Sequence, residues 1–161
     1  MDADGSGERK LSGEPLTPDD FPAWSHDGSM IAYVSFVPGG NEDVFVMNAD
    51  GSSPRRLTRS PAYDYAPSWS PDGTRIAFGR DGDIWVMEVD GANAVRLTRG
   101  SDQDASPRWS PDGERIAFTR SAKRGSFGSP GRIVVMNANG TGAARIVTRG
   151  LSATWPEWIR S

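Results

Sequence analysis

The sequence predicts an all-β protein assembled from repeated four-stranded antiparallel units, and three observations predict it. The stretch Trp69-Ser70-Pro71-Asp72-Gly73-Thr74-Arg75-Ile76-Ala77-Phe78 returns almost letter for letter at Trp109-Ser110-Pro111-Asp112-Gly113-Glu114-Arg115-Ile116-Ala117-Phe118. It returns more loosely at Trp24-Ser25-His26-Asp27-Gly28-Ser29-Met30-Ile31-Ala32-Tyr33, and Trp158 opens one further copy. The spacings between these tryptophans are 45, 40 and 49 residues, the range of blade and solenoid repeats. No window carries a sustained apolar i, i+3, i+4 pattern, and 19 glycines with 12 prolines interrupt any helix, which excludes a helical array.

Each copy is a short run, then Pro-Asp-Gly, then an apolar β-rich run such as Arg75-Ile76-Ala77-Phe78, which reads as two strands joined by a tight hairpin. Asp83-Ile84-Trp85-Val86-Met87, the turn pair Asp90-Gly91 and Val95-Arg96-Leu97-Thr98 repeat the strand, turn, strand signal. Four short antiparallel strands at this period are the layout of a β-propeller blade.

Taken in order, Met1-Asp2-Ala3-Asp4-Gly5 corresponds to Met47-Asn48-Ala49-Asp50-Gly51, and Lys10-Leu11-Ser12 to Arg56-Leu57-Thr58. Residues 1–12 therefore read as the outer strand of an incomplete blade, and 13–59, 60–99 and 100–149 as three complete repeats. Residues 150–161, through Thr154-Trp155-Pro156-Glu157-Trp158-Ile159, read as an inner strand of a further incomplete blade. The link between second and third strands varies most, from the short Gly79–Gly82 to the Gly- and Ser-rich Ser121–Gly131. In a propeller these links share a face with the outer-to-inner connections around Pro18–Phe21, Pro61–Ala66 and Ser101–Ser106, so a ligand site is expected there.

The wording Pro-x-Trp-Ser-Pro-Asp-Gly, then Ile-Ala-Phe, Val46-Met47-Asn48-Ala49-Asp50-Gly51 and Arg56-Leu57-Thr58 resembles the WD-like β-propeller repeat of the TolB family over nearly the whole chain. The resemblance implies a propeller, commonly closed from six blades, and a role either in protein binding or as the gating domain of a peptidase.

A formal net charge of −3 with dispersed arginines gives no basic field, so nucleic acid is not expected as a partner. There is no cysteine, no nucleophile-elbow Gly-x-Ser-x-Gly, no phosphate loop and no 18-residue apolar run. Hydrolytic chemistry and membrane insertion therefore have nothing to rest on. The repeated Trp24, Trp69, Trp109 and Trp158 are expected as core between blades, and Asp27, Asp50, Asp72, Asp90 and Asp112 as turn residues. The single His26, standing where the other copies have Pro71 and Pro111, is expected as an exposed turn residue.

One set of acids is left over. Asp19, Asp64 and Asp104 each lie three residues before the proline that precedes a blade tryptophan, whereas the last copy has Ala153 there. They either open the innermost strands as Asx turns or, repeated around the axis, form a ring of carboxylates for a calcium- or lanthanide-like hard cation. Three blades cannot close a ring, so homodimerisation to six blades is expected, with eight as the alternative if the partial strands form half-blades. The function expected is a noncatalytic module that binds such a cation, and a protein or peptide, at its axial channel. The alternative is a propeller gating domain of a peptidase-like hydrolase.

Overall fold

The computed structural model describes residues 6–11, 18–122, 131–142, 144–145, 156 and 158. Expectations that rest on residues 1–5 and 12–17, on 123–130 of the longest link, and on 146–155, 157 and 159–161, which hold Ala153 and most of the last inner strand, lie outside the described residues.

Among the described residues, twelve strands form three antiparallel four-stranded sheets, each with its strands in chain order. Blade 1 holds β1 (Asp19–Trp24), β2 (Met30–Phe36), β3 (Glu42–Asn48) and β4 (Arg55–Arg56). Blade 2 holds β5 (Asp64–Trp69), β6 (Arg75–Arg80), β7 (Asp83–Glu88) and β8 (Val95–Arg96). Blade 3 holds β9 (Gln103–Trp109), β10 (Arg115–Ser121), β11 (Arg132–Asn137) and β12 (Ala144–Arg145). The inner strands β5 and β9 pack against the sheet before them, so the blades stack face to face.

The repeated motif owes its form to three local devices. In the first hairpin, Ser70 Oγ donates to Asp72 Oδ1 and accepts the Arg75 N–H, while the same Asp72 oxygen accepts the Thr74 N–H and Gly73 takes φ 70°. Ser25 with Asp27 and Ser110 with Asp112 repeat the arrangement. This is why Ser-x-Asp-Gly recurs: the hydroxyl and carboxylate satisfy the N–H groups that a tight turn leaves open.

The second device is a bulge. Phe21, Ala66 and Ser106 stand at φ 53°, 50° and 54°, each before a proline, and the inner-strand register shifts there. Proline has no N–H to give the ladder, so the bulge falls where pairing is already interrupted. The third device ends the outer strand: Thr58 Oγ1 accepts the Val44 N–H and Thr98 Oγ1 the Ile84 N–H, both at 2.9 Å. Val95-Arg96-Leu97-Thr98 was expected as a four-residue strand, but pairing stops at Arg96 because Leu97 and Thr98 turn their N–H groups onto the single Ile84 carbonyl.

Two apolar layers fill the spaces between blades. The first joins Ala32, Val44, Val46 and Leu57 of blade 1 to Trp69, Ile76, Phe78 and Met87 of blade 2, and the second repeats it one blade on, from Ala77, Ile84 and Val86 to Trp109, Ile116, Phe118 and Met136. Phe78 and Phe118 are fully buried, each stabilising by roughly 1.5–3 kcal/mol relative to exposure. The tryptophans tie the layers together, Trp69 Nε1 donating to the Ala23 carbonyl and Trp158 Nε1 to the Arg108 carbonyl.

Residues 9–11 take the place that an outer strand of a preceding blade would occupy. Arg9 donates to the Asp50 carbonyl as Arg55 donates to the Asp90 carbonyl, and Leu11 lies over Gly51 as Leu57 lies over Gly91. A Cβ on either glycine would strike the leucine backbone, so close approach as well as positive φ calls for glycine there.

Candidate functional site

The three acids singled out in the sequence sit at or beside the starts of the inner strands. Asp64 opens β5 directly across from Arg80, the last residue of β6, and Asp104 in β9 lies directly across from Arg120 in β10. Arg80 donates from Nε and Nη2 to the two Asp64 oxygens at 2.6 and 2.8 Å, and Arg120 donates likewise to Asp104 at 2.7 Å twice. Both carboxylates are buried. The hydrogen bonds of Asp104 hold the Arg120 guanidinium above its ordinary value, with the charges of Asp104, Asp102 and Asp83 adding to them. Asp19 is different, because its cross-strand neighbour is Ser35.

A second row of acids stands on the third strands. Asp43 accepts from Thr58 Oγ1 at 3.0 Å and pairs with Arg56 Nη2 at 2.6 Å, and Asp83 pairs with Arg96 Nη2 at 2.6 Å. Burial pushes the Asp43 carboxyl up, and Asp64 beside it adds to the rise against the lowering by Thr58 and Arg56. The charge of the inner-strand Asp64 thus acts on Asp43 of the blade before it.

Asp64 and Asp104 are therefore not bare carboxylates, since each is held by an arginine. Their partners went unread in the sequence, although a signal was present. Ile-Ala-Phe is followed two residues later by Arg80 and Arg120, and counting back from the Pro-Asp-Gly turn with one bulge brings these opposite Asp64 and Asp104. Among the described residues, no three His, Cys, Asp or Glu side chains are grouped so as to hold a metal ion.

Next to the Asp64–Arg80 pair a groove of 580 Å³ opens between the connection at Ser60–Tyr63, the link Arg80–Asp83, Trp85 and Arg96. Asn41 fixes the connection by donating to the Ser60 and Ala62 carbonyls. Arg80 lies over the Trp85 ring at 5.0 Å and the Phe78 ring at 5.1 Å, an arrangement that orients the guanidinium while its hydrogen bonds go to Asp64. Tyr63 on the groove's rim is 57% exposed. At the other end of the inner strands a smaller cavity of 260 Å³ is lined by Trp24, Trp69, Trp109 and Trp158 with His26, Pro71 and Arg108. Trp69 and Trp109 are 8% and 6% exposed, as expected of core, but Trp24 is 57% exposed, because no blade among the described residues precedes it.

A family model described as a TolB beta propeller domain matches residues 1–161. The chain belongs to this family. It is 36% identical over 85 residues to the Tol-Pal system protein TolB of Alcanivorax borkumensis, half of this chain and 19% of that protein. It is 38% identical over 55 residues to the uncharacterized peptidase YuxL of Bacillus subtilis, 34% of this chain and 8% of that one. Among solved structures, the putative TolB from Agrobacterium tumefaciens superposes with a TM-score of 0.72 at 27% identity, covering 80% of this chain and 48% of that chain. The chain thus spans less than a fifth of these curated relatives and about half of the solved TolB. Its three sheets are TolB-type propeller blades, and the groove and the acid–arginine pairs lie on the face that carries the variable links.

Proposed function

We propose that this chain is a noncatalytic TolB-type propeller module that assembles with a second copy and takes a protein or peptide at the groove between Ser60–Tyr63 and Arg80–Asp83. The observation that carries the reading is the groove itself, in which the aromatic Tyr63 and Trp85 stand beside charges already fixed in pairs. Aromatic anchors of this kind supply most of the affinity of a protein contact, and pre-paired charges orient a partner without reorganising. His26, the one histidine of the sequence, is at the opposite end of the inner strands, so the groove has no hydroxyl–imidazole pair for hydrolysis. The name of the Alcanivorax relative, a Tol-Pal system protein, fits a role in binding other proteins.

Peptides selected from a displayed library on the immobilised chain test this, with affinities then measured by calorimetry. Tyr63→Ala should weaken the selected peptides about tenfold or more. Equal affinity for wild type and variant would remove the groove from the account.

The 38% identity to a peptidase favours a second reading, in which the blades gate substrates for a hydrolase. A hydrolase encoded in the same reading frame would decide for it. Calcium or a lanthanide at Asp19, Asp64 and Asp104 is a further proposal, and it requires the ion to draw Arg80 and Arg120 off their partners. Calorimetric binding of either ion that disappears in Asp64→Asn would carry it.

A further inference from the structure

The contact between neighbouring blades follows one electrostatic rule. The acid on the third strand of a blade stands beside the inner-strand acid of the next blade, which its own cross-strand arginine compensates. The charge of Asp64, paired with Arg80, acts on Asp43, and the charge of Asp83 acts on Arg120, paired with Asp104, whose N–H donates to the Gly82 carbonyl at 2.9 Å. The strands concerned, β3 with β5 and β7 with β9, are packed together.

Two positions break the rule, one at each end of the array. Blade 1 has Asp19 without the arginine, because Ser35 stands where Arg80 and Arg120 stand. Blade 3 has the exposed Arg132 where blades 1 and 2 have Asp43 and Asp83, since Arg132 pairs with Arg120 in register as Asp43 pairs with Ser35 and Asp83 with Arg80. Among the described residues, no ion pair reaches Asp19 or Arg132. The two departures are complementary: a blade 1 set against a blade 3 would receive from Arg132 the positive charge that Ser35 does not supply.

We propose that the outward faces of blade 1 and blade 3 are the two halves of a head-to-tail contact between copies of this chain, with Arg132 of one copy beside Asp19 of the other and with β12 of that first copy taking the place that residues 9–11 hold along blade 1 of the other. Applied twice about a twofold axis, the contact closes six blades. The exposed Trp24 then enters a blade-to-blade layer as Trp69 and Trp109 do. Its seat on blade 3 is the Arg108 carbonyl, which Trp158 of the same chain holds. The segment carrying Trp158 is a poorer occupant, because the position five residues before each tryptophan is Asp19, Asp64 and Asp104 in the complete repeats but Ala153 in this one. Its sequence has alanine where β1 of a second copy has Asp19. Association exchanges the one for the other.

The proposal rests on the reading that copies assemble, and the experiment separates the two. Sedimentation of the 161-residue chain over a dilution series should give a dimer that weakens with salt. Asp19→Arg alone and Arg132→Asp alone each set like charges together in both contacts and should each weaken the dimer about tenfold or more. An equal mixture of the two variants restores an opposite pair at both contacts and should recover wild-type affinity, which no effect confined to one chain can imitate. Trp158→Ala should tighten the dimer by removing the competitor. Should Asp19→Arg fail to fold, Asp19→Asn and Arg132→Gln replace the pair, the double variant then being no weaker than either single. A wild type that is monomeric at every concentration overturns both assembly and interface. A dimer indifferent to the single changes, or one that mixing does not restore, overturns the interface and leaves assembly standing.

Discussion

Arg80 closes on Asp64 through both carboxylate oxygens, and the register of β5 on β6 makes the two residues direct cross-strand partners. Asp64 is fully buried while the Arg80 side chain keeps 13% of its surface, so removing either partner has unequal consequences. Arg80→Met strands a buried carboxylate next to Asp43 and should cost about 3–5 kcal/mol. Asp64→Asn leaves a guanidinium that still lies over Phe78 and Trp85, and should cost less. Urea unfolding of the two variants at neutral pH gives the order, and the reverse order would show that the arginine rather than the acid is the strained partner.

The turn carboxylates predict an acid limb of stability. Hydrogen bonds from the Ser25 hydroxyl first, then from Ser29, hold Asp27 down to about 2 from the ordinary 3.8, and the Ser70 and Ser110 hydroxyls lower Asp72 and Asp112 in the same way. A folded value below the unfolded one stabilises above the unfolded value and is lost as pH falls through the folded one, so the loss should fall between about pH 4 and pH 2. Asn139, whose Oδ1 accepts the Thr141 N–H at 3.0 Å, does neutrally in blade 3 what Asp50 does in blade 1. Asp27→Asn should therefore fold and flatten this limb, as unfolding measured across that range would reveal.

Ser53, Asn93 and Gly142 occupy one place in the three turns before the outer strands, at φ 55°, 52° and 65°. A side chain in this region costs roughly 1–2 kcal/mol, partly offset by the greater unfolded freedom of glycine. Ser53→Gly should stabilise by up to about 1 kcal/mol. Asn93→Gly should gain less, since asparagine tolerates the conformation and Asn93 Nδ2 donates to Glu88 at 2.9 Å. Thermal unfolding orders the two, and Gly142→Ser should destabilise because its Cβ would crowd the Asn137 amide.

Much of this was legible in the sequence. Ser-Pro-Asp-Gly carries its own hydrogen-bonding logic, so the hairpins, the four-strand period and the family could be read directly from Trp69–Phe78 and its copies. The acids at Asp19, Asp64 and Asp104 could be placed on the inner strands too. Their partners could not be, because a cross-strand neighbour depends on a one-residue bulge at Ala66 and Ser106 that shifts every pair beyond it. The exposure of Trp24 was equally hidden, since its letters match those of Trp69 and only the blade before it distinguishes them.

Gly79 owes its identity to Tyr65. The two are cross-strand partners, and a Cβ built on Gly79 would overlap the Tyr65 ring. The ring reaches over the glycine so that its hydroxyl can donate to the Asp104 carbonyl of blade 3 at 3.2 Å, and burial pushes that hydroxyl up to about 12. The equivalent pairs are Asp20 with Val34 and Ala105 with Thr119, where the inner-strand partner is smaller and the second strand carries a full side chain. Gly79→Ala should thus destabilise the wild type by about 1–3 kcal/mol through overpacking. In the background of Tyr65→Ala the same change meets no ring, and it should become neutral or stabilising by about 0.4–1 kcal/mol through the loss of glycine's unfolded freedom. The sign reversal, read from chemical unfolding of the four proteins of the cycle, is the decisive quantity. An equal penalty in both backgrounds would place the need for glycine in the β6 backbone and leave the Tyr65 bridge to blade 3 without a role in choosing it.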